Sequence, residues 1–98
     1  MTPDRVRQLL ARYDQQLARM GAGEPLQCDL EAAMTYMDDP QTWKVAAAHL
    51  RFACQEAQKF CGDGRVEKAM RWLGFVQGCL WAMGDSSIAD LARDNAGG

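Results

Sequence analysis

Residues 65–83 read RVEKAMRWLGFVQGCLWAM, and the fold turns on them. Wound at about 100° per residue, the apolar side chains from Val66 to Met83 cover roughly 260° of a helix's circumference. A helix at the edge of a small monomer needs a stripe only a little over about 100° wide. Helix 65–83 is therefore expected to be covered from several sides, at the centre of a bundle or in an interface between chains.

Inside that wide arc runs a narrower seam. Val66, Ala69, Leu73, Val76, Leu80 and Met83 follow alternating steps of three and four residues. Upstream, Trp43, Ala47, Leu50, Cys54, Ala57 and Cys61 keep the same period, which is the spacing of helices packed along a seam. Between the two seams lies Gly62-Asp63-Gly64, whose glycines enter left-handed backbone without steric cost. The spacing thus predicts an antiparallel helical hairpin over about 40–61 and 65–83. Asp39-Pro40 supplies its start signal, a cap followed by proline at the first helical position.

The flanking segments read as further helices. Thr2 and Pro3 open one that runs to Met20, with Val6, Leu9, Leu10, Tyr13 and Leu17 on one face, and Gly21 closes it. Asp29 caps a short acidic helix over 30–37, while Gly84 ends helix 65–83. Ser86 or Ser87 caps a last helix over about 87–94, and Asn95–Gly98 is expected to fray. No stretch reads as strand. The expected fold is all-α: a single domain, 1–98, built on the hairpin with the N-terminal helix packed across it.

Composition narrows the function classes. The 98 residues are 48% hydrophobic and 24% charged with net charge −2, which fits a globule and argues against a polyanion-binding surface. A nucleic-acid role lacks a basic recognition helix. Cys28, Cys54, Cys61 and Cys79 form no Cys-x-x-Cys pair and His49 is the single histidine, so neither a metal site nor a bound cofactor is expected. Apolar runs fall short of the ~20 residues that cross a bilayer. Without a leader at the N-terminus, reduced thiols in a cytoplasm are the simplest reading. No nucleophile, carboxylate pair or metal cluster stands in a recognisable catalytic context, so no catalytic residue is assigned and a non-enzymatic role is expected.

Three constellations remain as binding surfaces. Glu24, Asp29, Glu31, Asp38 and Asp39 form a stretch free of lysine and arginine. It either complements the basic helices on both sides or meets a charged partner. On helix 65–83, Glu67, Arg71, Gly74 and Gly78 line up at steps of four, three and four, with Trp81 beside the far end. Two glycines inside a helix cost about 1 kcal/mol each relative to alanine. They suit either a close helix crossing, within the chain or across a symmetric interface, or a groove for a partner. Third, Arg65, Lys68 and Arg71 stand at a helix start next to two glycines, a setting that suits an anion or nucleotide. The alternative there is that Arg65 and Lys68 are solvated or pair with Glu56, Asp63 and Glu67. Trp43, Trp72 and Trp81 fit core positions or an interface, and His49 fits a boundary position on the helix before the turn.

The block Arg65–Trp81, with Ile88-Ala89-Asp90-Leu91 and Asp94-Asn95 behind it, resembles small uncharacterised proteins of tailed phages and prophages. The likeness covers residues 65–95 and is most specific around Trp72-Leu73-Gly74-Phe75. It implies the cytoplasm of a bacterial host and a protein that works by binding. The expected function is a phage or prophage accessory protein that inhibits or modulates a host protein, of a defence system for example, through the acidic stretch and the glycine strip. The alternative is an oligomeric sponge for a nucleotide or other anion at Arg65, Lys68 and Arg71. A homo-oligomer is expected in either case, because the remaining helices have single stripes.

Overall fold

A computed structural model describes residues 1–27 and 40–96, with side chains at 40–42 excepted. Among them are four helices: α1 (Pro3–Arg19), α2 (Pro40–Gly62), α3 (Val66–Ala82) and α4 (Ile88–Ala96). The all-α fold, the hairpin and the N-terminal helix lying across it are as the sequence implies. The acidic helix expected at 30–37 lies outside the described residues, as do Gly97 and Gly98.

Local chemistry fixes the helix ends. The Arg5 N–H donates to the Thr2 hydroxyl at 3.1 Å and proline opens the first turn of α1, which satisfies donors that a helix start leaves unpaired. Three helices then stop on the same device. Gly21, Gly64 and Gly84 each adopt positive φ, at 98°, 78° and 77°. In each case the glycine and the next residue donate back to the last turn, as Arg65 N–H does to Phe60 C=O at 2.8 Å and Asp85 N–H to Leu80 C=O at 2.9 Å. A side chain at those positions would be strained. Gly62, expected to share the reversal, is instead the last residue of α2; one left-handed glycine is enough for the turn. At α4, Ser87 and Asp90 cap one another reciprocally, the pattern of a capping box.

α2 makes the most contact. Its seam residues Ala47, Leu50, Cys54, Ala57 and Cys61 are buried, and α1 and α3 both pack on it, α1 the more extensively, while α1 also touches α3. The expectation that helix 65–83 would be the central one is therefore corrected. α3 buries Ala69, Leu73, Val76, Gln77 and Leu80, packs Trp72, Cys79 and Met83 partly against the core, and among the described residues leaves Met70, Phe75 and Trp81 exposed. The reason lies in residue size: alanines and cysteines on α2 let two neighbours approach it closely, so α2 and not α3 takes the larger share of the packing.

Polar clamps tie the layers. Asp14, 7% exposed, receives Arg51 Nε at 2.8 Å and Gln55 Nε2 at 3.2 Å, and Arg51 also donates to the Gly23 carbonyl. This joins α1 to α2 in the layer where a lone carboxylate would be costly. On the other side, Tyr13 Oη donates to Asp94 Oδ2 at 2.7 Å and accepts from Gln77 Nε2 at 3.1 Å, while Arg12 pairs with Asp94 at 2.5 Å. Gln77 and Asn95 exchange two further bonds. No residue of α4 is fully buried; this knot and the packing of Leu91 against the core hold it in place. Asn95 and Ala96, expected to fray, belong to α4 for that reason.

Candidate contact surface

Burial of one side of α3 decides what the other side presents. Measured at 100° per residue, Met70, Trp81, Gly74, Glu67, Gly78, Arg71, Ala82 and Phe75 follow one another around ~140° of circumference, and all eight are exposed. Met70 keeps 42% of its surface, Phe75 45% and Trp81 54%. Half-exposed large apolar side chains are ordinary singly; three on one helical face form a patch. The strip named from sequence (Glu67, Arg71, Gly74, Gly78, Trp81) is thus brought together on a solvent face.

The glycines within it do not serve a crossing inside the chain. A Cβ built on Gly74 or Gly78 meets nothing within 4 Å. The half of the sequence expectation that placed a close intrachain crossing there is corrected: neither α1 nor α2 reaches this face. Of the three tryptophans, Trp43 and Trp72 are partly buried against the core while Trp81 is not.

Along the α2 flank the face folds into a groove of about 300 Å³, lined by His49 and Ala53 from α2 and by Arg71, Trp72 and Phe75 from α3. Its floor is aromatic and braced from below. Trp72 stands edge-on to Phe60, with centroids 5.0 Å apart, and the His49 ring tilts against Phe52 at 5.9 Å. His49 Nδ1 also lies 3.2 Å from the Leu26 carbonyl oxygen. Arg71 is the groove's cation and belongs to none of the four ion pairs among the described residues. Sequence reasoning placed His49 at a boundary and Trp72 in the core, and had no signal that the hairpin's tilt opens a slot between them.

At the N-terminal end of α3 a shallower concavity of about 410 Å³ is lined by Arg65, Lys68 and Arg71, the trio named for an anion, together with Gly64, Val66 and the carboxylate-bearing Glu67. Two of the three are also engaged with a ring. Lys68 Nζ sits 4.4 Å and the Arg65 guanidinium 5.4 Å from the Phe60 centroid, attracted by its π face. The expected pairing with Glu56 is corrected, since Lys59 takes that carboxylate at 3.0 Å. Of the acidic stretch, Glu24 is described and exposed; Asp29, Glu31, Asp38 and Asp39 lie outside the described residues.

Titratable groups away from this surface are set by burial. Burial, reinforced by the bond to Asp94, pushes the Tyr13 hydroxyl up to about 12. Burial would raise the Asp94 carboxyl, but hydrogen bonds from Arg12 and Tyr13 outweigh it and hold it below its ordinary value. The Cys54 thiol, enclosed in the core, is pushed up to about 12 by desolvation, so it stays protonated and behaves as a small apolar group. Among the described residues no group of three His, Cys, Asp or Glu side chains is placed to hold a metal ion, and no helix is long and apolar enough to cross a membrane. Comparison with protein-family models, with curated proteins and with solved structures gives no match to this chain.

Proposed function

We propose that this chain is a non-enzymatic accessory protein of a phage or prophage, working in the cytoplasm of a bacterial host, that modulates a host protein by direct contact through the α2–α3 groove. The observation that carries the reading is the groove itself: an aromatic slot with one cation at its edge and a half-exposed Phe75 at its mouth. Such a slot fits a large apolar side chain flanked by a carboxylate, the apolar part filling the groove and the carboxylate meeting Arg71. The resemblance of residues 65–95 to small phage proteins supports the setting. The acidic stretch 24–39 would extend the contact.

The test is capture from a bacterial lysate on immobilised protein, followed by titration of the purified partner against wild type and Phe75→Asp. Phe75 is exposed, so the substitution spares the core. At least a tenfold loss of affinity in the variant supports the reading. A partner that binds both forms equally, or none that prefers the wild type, refutes it.

A second reading rests on Arg65, Lys68 and Arg71 lining one concavity, with Glu67 beside them: capture of a nucleotide or other anion. Nucleotide at 100 times its dissociation constant adds about 2.7 kcal/mol of stability. A thermal melt that no nucleotide shifts would remove this reading.

A further inference from the structure

We infer that two copies of this chain pair through the outer face of α3, antiparallel, about a two-fold axis that passes between Gly74 and Gly78 at the level of Val76. The inference goes beyond the proposed host contact: it occupies the outer strip of α3, shares Arg71 with the groove, and leaves His49, Trp72 and Phe75 open.

Three features of the face select a second copy as the occupant. The first is shape. The centre of the exposed arc is Gly74 and Gly78, where nothing among the described residues stands within 4 Å of a built Cβ, so an incoming helix can approach the α3 backbone closely. Larger groups flank that centre. Under an antiparallel two-fold, Met70 on one copy falls beside Trp81 of the partner subunit, and the same contact repeats at the other end, placing a thioether against an aromatic ring. Arg71 then lies over the partner's Ala82, large against small.

The second is charge. The N-terminal end of α3 carries Arg65, Lys68 and Arg71 together with the positive end of the helix dipole, and Asp85 follows its negative end. Antiparallel pairing sets each cationic end against the opposite pole of the other helix. A parallel pair would join the two cationic ends and align the two helix dipoles, so the dipoles and the three cations favour the antiparallel orientation.

The third is area. At the exposures of Met70 and Trp81, and with the other residues of the strip open, the face offers on the order of 600 Å² per copy, or about 1,200 Å² for the pair. That is the lower end of what stable interfaces bury, so a reversible dimer is expected.

Sedimentation equilibrium on the full chain, wild type and Gly78→Leu, tests the pairing. Wild type is expected to show a monomer–dimer equilibrium, and Gly78→Leu to weaken it at least tenfold. A Cβ at this position meets nothing within 4 Å among the described residues, so the variant's helical content is expected to hold and its melting at dissociating concentration to rise, leucine being the better helix former. Orientation is read by oxidising an equimolar mixture of Met70→Cys and Trp81→Cys chains, where the mixed disulfide should exceed each self-pair by well over the twofold that random pairing gives. A wild type that stays monomeric up to about 1 mM, a dimer that Gly78→Leu leaves unchanged, or a dominant 70–70 link overturns the inference. Failure here with capture still abolished by Phe75→Asp would leave the host-contact reading intact; a Gly78→Leu-sensitive dimer with no Phe75-dependent capture would do the reverse.

Discussion

Replacing both Gly74 and Gly78 by alanine should make the isolated chain more stable. Each glycine in a helix interior costs about 1 kcal/mol relative to alanine, and a methyl group at either position meets no atom within 4 Å. The double variant should therefore gain about 2 kcal/mol, which for a domain of this size raises the melting temperature by roughly 10 °C. The measurement is urea unfolding followed by far-UV circular dichroism, at protein concentrations low enough to keep wild type and variant monomeric. Raising the concentration adds a second expectation. Wild type should gain stability as it pairs, by mass action, while the variant, with its helices held apart by two methyl groups, should gain less. A loss of stability at low concentration would refute the reasoning, because it would mean that these glycines are needed for packing within one chain.

The other predictions concern the polar knot and the core. Tyr13→Phe should cost about 2 kcal/mol, the range of a hydrogen bond to a charged group, and a double-mutant cycle with Asp94→Ala should show coupling of about 1–2 kcal/mol; additive effects would disprove the link. On the acid side, Asp94 is held below its ordinary 3.8, so its contribution is present above that value and is lost as pH falls through its lower folded value. Acid unfolding of Asp94→Asn should lack this component. On the alkaline side, Tyr13 and Cys54 are raised to about 12 from 10.0 and 9.0. Their contributions are complete below pH 9 and are lost as pH climbs from there towards 12, a decline that a Cys54→Ala, Tyr13→Phe chain should show less steeply. Finally, a thiol reagent at neutral pH should modify the half-buried Cys79 well before Cys54, whose labelling should follow the unfolding rate; equal rates would place Cys54 nearer the surface than the fold does.

Much of the architecture was legible in local pattern. The seams of α2 and α3, the Thr2 and Ser87 caps and the closing glycines are effects that act within a turn or two, so spacing reveals them. The clamps were not legible. Asp14 sits at the flank of the apolar face of α1 and reads as a surface carboxylate until Arg51 and Gln55 are seen to meet it from α2. Asp94, Asn95 and Gln77 lie far from Tyr13 along the chain, and nothing in their own neighbourhoods announces that they will meet.

The candidate surface divides along the same line. The sequence by itself determined that α3 carries an apolar arc far wider than a single stripe, and that glycines interrupt its remaining face, because both follow from residue type at a fixed angular step. Which side is covered was a matter of tertiary structure. The small residues of α2 draw α1 and α3 onto it, the knot at Tyr13 and Asp94 anchors α4 beside Gln77, and what remains open is the strip from Met70 to Phe75. Periodicity measures how wide an apolar face is; only packing, which depends on how closely residues distant in sequence can approach, decides where that face ends in water.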